Sequence, residues 1–182
     1  MGNFEQNNIN INEKIKSEGR FEFRNIFPEE ASQAAAVERL CFPPNEACTE
    51  AMMEQRAFKI QELFFVAVDR ESGKVAGFLN GLATDGECLK DEFFRNADLH
   101  DPKGDNVMIL GLAVLPKYRG LGVASELMRR YSELQRGQGR KALILTCLDA
   151  KVGMYKKMGF EDEGISESSW GGEQWHQMRK VL

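Results

Sequence analysis

The segment with the plainest chemical potential runs from Pro116 to Ala124, where Lys117-Tyr118-Arg119-Gly120-Leu121-Gly122-Val123-Ala124 follows an apolar run and leads into a helical pattern. A strand-to-helix turn presents backbone N–H groups that have no partner inside the helix, and the helix dipole adds partial positive charge there. Such a turn suits an anion, and a pyrophosphate in particular. Gly120 and Gly122 lack the β-carbons that would hold a phosphate away, and Arg119 supplies a fixed positive charge. Glycine turns also serve as plain connectors. Two rival phosphate motifs fit less well: a Walker loop needs Gly-Lys-Ser/Thr after a longer glycine loop, and a dinucleotide fingerprint needs Gly or Ala where Ser125 stands.

Other reactive side chains give weaker signals. Cys41, Cys48, Cys88 and Cys147 form no CxxC pair and are accompanied by two histidines, which argues against a zinc site and leads us to expect no metal. Reduced thiols, and hence a cytoplasmic protein, are expected. Cys147 has the apolar neighbours of an inert core thiol rather than those of a nucleophile. His100 precedes Asp101-Pro102 and is expected to order its own loop.

The elements that must position these residues alternate between strands and helices. Phe21 to Phe27 alternates as a half-buried strand, and Pro28-Glu29-Glu30 opens a helix carrying Ala34, Val37 and Cys41 on one face until Pro43-Pro44 stops it. After a loop over Pro43 to Thr49, Met53, Ala57 and Ile60 mark a second helix. Leu63 to Val68 and Val75 to Ala83 form a hairpin about Arg70-Glu71-Ser72-Gly73-Lys74, Leu89 to Ala97 is a short helix, and Val107 to Val114 is apolar enough to be a central fourth strand. Val123, Leu127, Tyr131 and Leu134 recur along a helix closed by Gly137 and Gly139. Ala142 to Leu148 is a fifth strand, Val152 to Met158 a short helix, and two last strands follow Phe160, the second around Trp175 to Val181.

At 182 residues and 42% apolar composition the chain has the size and material of one domain, expected over residues 20–182 behind a flexible, asparagine-rich tail over residues 1–19. A net charge of −4 with scattered Lys and Arg gives no basic stripe, which excludes a nucleic-acid partner and suits a cationic small molecule. No apolar run reaches the ~20 residues of a membrane helix, so no membrane partner is expected, and Met1 to Gly19 lacks a signal peptide's apolar centre.

Three motifs in order carry a family resemblance. Arg119-Gly120-Leu121-Gly122-Val123-Ala124 resembles the R/Q-x-x-G-x-G/A signature of GCN5-related N-acetyltransferases (GNAT), Leu112-Ala113-Val114 looks like that family's pantetheine-pairing strand, and Tyr155-Lys156-Lys157-Met158-Gly159-Phe160 resembles its Tyr-x-x-x-Gly-Phe. Phe42-Pro43-Pro44-Asn45-Glu46-Ala47, Leu99 to Gly104 and Cys147-Leu148-Asp149-Ala150 are similar to the arylalkylamine (serotonin-type) branch. The resemblance implies an α/β GNAT fold, a mixed and mostly antiparallel sheet flanked by helices and splayed between the fourth and fifth strands.

It further implies acetyl-CoA as cosubstrate, held by Arg119, Gly120, Leu121, Gly122, Val123 and Ala124 at the pyrophosphate and by Leu112, Ala113 and Val114 along pantetheine. The Leu112 or Ala113 N–H would polarise the acetyl carbonyl. Tyr155 stands where the family carries its tyrosine general acid, the other reading being an aromatic that packs the last helix on the sheet. Vertebrate-like arylalkylamine members carry two histidines on the fourth strand where this sequence has Met108 and Leu110. Glu46, in the loop that borders the amine pocket in this fold, is the substitute base, with a helix-capping or solvated acid and a water chain as the other readings. Asp85 and Glu87 are reserve candidates, and Trp170 and Trp175 either pack the sheet or wall an aryl-amine pocket. The reaction implied is acetyl transfer to a primary amine by direct attack in a ternary complex. A polyamine, an amino sugar, a protein N-terminus and a CoA-binding domain without turnover stand as alternatives, and a homodimer is left open.

Overall fold

The computed structural model describes residues 19–182. The tail expected over residues 1–19 therefore lies, but for Gly19, outside the described residues. Seven strands form one sheet in the order β1-β2-β3-β4-β5-β7-β6, with β1 (Phe21–Asn25), β2 (Phe64–Asp69), β3 (Lys74–Thr84), β4 (Asn106–Val114), β5 (Ala142–Cys147), β6 (Glu161–Ile165) and β7 (His176–Val181). Every neighbouring pair is antiparallel except β4 and β5, which run parallel. The helices are α1 (Ala31–Cys41), α2 (Glu50–Lys59), the single turn α3 (Glu92–Arg95), α4 (Val123–Gly137) and α5 (Asp149–Lys157). None of them, among the described residues, is long and apolar enough to cross a membrane.

Helices cover both faces because successive strand residues point opposite ways. Phe64 meets Phe78 at 5.6 Å between ring centroids, and Phe78 lies on the face that carries Glu38 of α1. The next residue, Phe65, meets Tyr131 of α4 at 6.3 Å on the opposite face. Tyr131 is fully buried, and its hydroxyl donates to the Leu63 carbonyl at 3.1 Å, which removes the cost of an unpaired buried O–H.

Element boundaries differ from the sequence expectation where local polar contacts intervene. β1 ends at Asn25, two residues early, because Arg24 forks onto Glu30 at 2.7 and 2.8 Å and Glu30 also accepts the Phe27 N–H at 2.9 Å, folding residues 28–30 into a 3-10 turn. α2 starts at Glu50 because the Thr49 hydroxyl accepts the Met52 N–H at 3.3 Å. α5 begins at Asp149, three residues before the expected Val152, which places an acid in its first turn.

Two irregularities in β4 set up the site. Opposite β3, Asn80 pairs with Gly111 while Gly81 pairs with Ile109, so Leu110 is an extra, bulged residue. Opposite β5, pairing covers Asn106–Met108 with Ala142–Ile144 and then stops. From Ile109 onward the two parallel strands part, because β5 continues its ladder with β7 as far as Cys147. The splay expected between the fourth and fifth strands is present.

Candidate active site

The wedge between β4 and β5 opens onto a groove of about 460 Å³, within the range of small-molecule sites. Leu112, Ala113 and Val114 form its β4 wall, while Cys147, Lys151 and Tyr155 stand opposite. The antiparallel ladder decides which backbone groups face the gap. The Leu115 N–H donates to Ala76 O at 2.9 Å, so Leu115, and by alternation Ala113, turn their polar groups toward β3, and Leu112 and Val114 turn theirs toward the wedge. Of the two N–H groups considered for an acetyl oxygen, Leu112 is therefore the one that points the right way. The Val114 carbonyl already accepts from Cys41 Sγ at 3.4 Å and from Arg119 Nε at 3.2 Å.

Arg119 is thus anchored through Nε to the end of β4, with the exposed remainder of its guanidinium free to meet an anion. Gly120 and Gly122 adopt φ of +77° and +76°, the left-handed region that L side chains avoid. A β-carbon at either would meet nothing within 4 Å, so it is backbone conformation and the open space itself that require glycine here. The first α4 bond runs from the Glu126 N–H to Gly122 O at 3.0 Å, which leaves the N–H groups of Val123, Ala124 and Ser125 without a partner inside the helix, and Gly122 has no side chain to cap them. A pyrophosphate fits this set of donors.

The groove deepens into a second space with which it shares Phe42, Glu46, Leu112, Thr146, Tyr155 and Trp175. Tyr155 and Glu46, singled out on separate grounds, come together there. Burial, reinforced by the neighbouring Cys147, pushes the Tyr155 phenol well above its ordinary value, so it stays protonated and able to donate. Burial and then the charge of Glu173 raise the Glu46 carboxyl. Glu46 does not cap a helix, since Thr49 does so, and its loop is clasped by the C-terminal turn. The Trp170 indole N–H donates to Glu46 O at 2.7 Å, and Asn45 donates to Gly171 O at 2.9 Å.

The aromatic wall is built around the same clasp. Trp170 stacks on Phe94 at 4.5 Å, Arg95 lies over the indole at 4.9 Å, and the Trp175 N–H donates to Trp170 O at 2.9 Å. Both tryptophans line the deep space. So does Leu110, whereas Met108 is fully buried within the sheet.

His100 and the reserve acids lie elsewhere. The His100 ring takes the Ala83 N–H on Nδ1 at 3.0 Å and meets Glu62 through Nε2 at 2.9 Å, which orders its loop as expected. Asp85 accepts the Asp105 N–H, and Glu87 pairs with Arg179 at 2.8 Å. Burial raises the Cys147 thiol to about 11, consistent with an inert thiol.

Sequence reasoning missed Glu38. This α1 residue is 3% exposed and lines the deep space. Its Oε1 accepts the Cys48 N–H at 2.8 Å, while Oε2 is buried with no hydrogen-bond partner. Burial raises its carboxyl despite the nearby Arg56 charge. The signal was there to be read: Glu38 falls four residues after Ala34 and three before Cys41, on the stripe already taken as apolar.

The family model described as "Acetyltransferase (GNAT) family" matches residues 26–160. A serotonin N-acetyltransferase from Mesocricetus auratus is 30% identical over 145 residues, covering 79% of this chain and 69% of that protein. Among solved structures, the GNAT-like decarboxylase GphF in complex with isobutyryl-CoA superposes with a TM-score of 0.75 at 19% identity, covering 88% of this chain and 98% of that one. The ribosomal-protein-S18-alanine N-acetyltransferase from Escherichia coli gives a TM-score of 0.65 at 16% identity, covering 89% and 94%. At these identities the structural likenesses carry the fold alone.

Proposed function

This chain belongs to the acetyltransferase (GNAT) family, and we propose that it transfers the acetyl group of acetyl-CoA to the primary amine of an arylalkylamine by direct attack in a ternary complex. That it is an N-acetyltransferase using acetyl-CoA follows from the family. The choice of acceptor rests on one observation: the deep space pairs an aromatic wall of Phe42, Phe94, Trp170 and Trp175 with two carboxylates, Glu38 and Glu46, and opens onto the groove beneath Leu112. A flat ring would lie against the aromatics while its ammonium is drawn to the acids. The likeness to a serotonin N-acetyltransferase supports the same acceptor class.

Acetyl-CoA supplies an activated acyl group on a thiolate leaving group. In this reading the Arg119 to Ala124 turn holds the pyrophosphate, and the edge of β4 over Leu112 to Val114 holds the pantetheine arm as an added strand would be held. The Leu112 N–H stabilises negative charge that develops on the acyl oxygen, an effect worth about 3 kcal/mol in comparable sites. Glu46 accepts a proton from the amine, which its raised carboxyl suits better than an ordinary one. Tyr155 donates its phenolic proton to the departing sulfur. Removing the thiolate from water by the same burial raises its own proton affinity, so the high position of the phenol is no obstacle.

The test is thiol release from acetyl-CoA with a panel of phenylethylamine, tryptamine, spermidine, glucosamine and an alanine-terminated peptide. The arylalkylamines should give the highest kcat/KM. Preference for spermidine, the sugar or the peptide would replace the acceptor, and CoA binding without turnover of any amine would overturn the catalytic reading.

A further inference from the structure

An alkylammonium carries three N–H bonds and the amide product one, so two protons leave the nitrogen while the C–N bond forms. One ends on sulfur as the C–S bond breaks, and the other is released. The two protons leave the nitrogen in separate steps, and the deep space holds two carboxylates of different character that can divide them. Glu46 is half-buried where the deep space meets the groove, whereas Glu38 lines the deep space and not the groove.

The geometry around Glu38 is that of a poised acceptor. Its Oε1 is occupied by the Cys48 N–H at 2.8 Å, which fixes the carboxyl plane, and Oε2 is left buried and unpartnered. A buried oxygen without a partner is unfavourable, and a ligand proton donor relieves it. Oε2 lies beneath the bulged stretch of β4: a β-carbon built on Gly111 would stand 3.8 Å from it, and Gly111 separates Leu110 from Leu112 at the head of the wedge. Arg56, the one guanidinium close enough to influence it, is already committed to Phe94 O at 2.6 Å and Asn80 Oδ1 at 3.3 Å.

We propose that Glu38 is the first proton acceptor for the acceptor amine, its Oε2 taking one proton from the ammonium to give the neutral nucleophile, while Glu46 takes the second. This rests on the acceptor reading above. The proton held on Glu38 then restores Tyr155 after the phenol has protonated sulfur, and the proton on Glu46 leaves to water, so the count closes. Burial holds the Glu38 carboxyl above its usual range, toward the neutral pH at which it must exchange a proton. The titratable groups that bear on it are Cys48 and Arg56 from the loop and α2, Cys41 one turn along α1, and Glu46 and Tyr155 across the cavity.

The experiment compares two nucleophiles of similar shape in wild type and Glu38→Gln. Phenylethylamine arrives protonated at neutral pH, and O-benzylhydroxylamine arrives neutral. Glutamine keeps the oxygen that accepts from Cys48 and loses only the proton acceptor. Glu38→Gln should lower kcat/KM for phenylethylamine by ~10²- to 10⁴-fold at pH 7, the range for a general base, and that for O-benzylhydroxylamine by less than about 10-fold. CoA affinity and Tm should hold. An equal loss with both nucleophiles, or a loss that accompanies a fallen Tm, overturns the proton role and makes Glu38 structural; no loss overturns it outright. If Glu38→Gln does not fold, the same pair of nucleophiles on Glu46→Gln decides: a selective defect that abolishes the whole acid limb of the wild-type profile leaves Glu38 nothing to do and overturns the proposal, whereas a surviving acid limb supports it. Wild type that turns over neither nucleophile would overturn the acceptor reading, and the proposal with it.

Discussion

Replacing Tyr155 with phenylalanine separates chemistry from packing because the structure assigns the ring and the hydroxyl different neighbours. The ring meets Phe160 edge-on at 5.7 Å, a contact worth ~0.5–1.5 kcal/mol that phenylalanine keeps. The phenol is raised by burial and by Cys147, with no hydrogen bond contributing, so deleting the O–H breaks no hydrogen bond among the described residues. Stability should hold or rise by up to ~1 kcal/mol, which for a domain of this size is a Tm change of about +2 to +4 °C at most. Turnover should fall by ~10²- to 10⁴-fold, equivalent to about 3–5 kcal/mol in the barrier, with CoA affinity unchanged. The assay is single-turnover acetyl transfer to phenylethylamine alongside calorimetric Tm. Because the folded-state phenol lies above its ordinary value, the wild-type rate should also show no alkaline fall from this group below about pH 10. Near-normal single-turnover rates, or a rate loss matched by a lost Tm, would refute the reasoning and return Tyr155 to packing.

Other substitutions test other parts of the site. Gly122→Val places a branched side chain at φ +76° and should cost ~1–2 kcal/mol of stability while lowering CoA affinity by more than about 10-fold in calorimetry; unchanged affinity would remove the pyrophosphate assignment. Glu46→Gln should lower kcat for phenylethylamine by ~10²-fold or more with KM little changed, because the second proton must leave the nitrogen whether or not the amine enters neutral; a wild-type kcat would dismiss Glu46 from proton transfer, and a loss confined to KM would assign it to binding. Trp170→Ala removes the Phe94 stack and the bond to Glu46 O, so KM for tryptamine should rise by about 10-fold or more with CoA affinity intact, whereas an unchanged KM would place the aryl ring elsewhere.

The strand-to-helix turn was legible in the sequence because its chemistry is local: two glycines, one arginine and a following helical stripe dictate both the backbone and the donors. The order of strands and helices was legible for the same reason, through periodicity. Beyond what the family resemblance implied, contacts between residues distant along the chain could not be read. The clasp of Trp170 on Glu46 joins positions 124 apart, and no local pattern announces it. Glu38 lay hidden because a carboxylate on an apolar helix face looks like an imperfection until the fold shows Oε2 unpartnered above a cavity. The early end of β1 likewise came from one ion pair, Arg24 with Glu30, that periodicity does not weigh. Fold and function also separate cleanly here, since a decarboxylase and an N-acetyltransferase both share this architecture at low identity, so it is the family match and not the fold that carries the reaction.

A crystal structure of the protein with CoA and tryptamine bound tests the account most directly. The pyrophosphate should lie against the N–H groups at the start of α4, the thiol beside the Tyr155 hydroxyl, the indole against Trp170 and Phe94, and the amine nitrogen within hydrogen-bond reach of Glu38 Oε2 or Glu46. An amine seated outside the wedge between β4 and β5, or CoA bound away from Gly120 and Gly122, would contradict it.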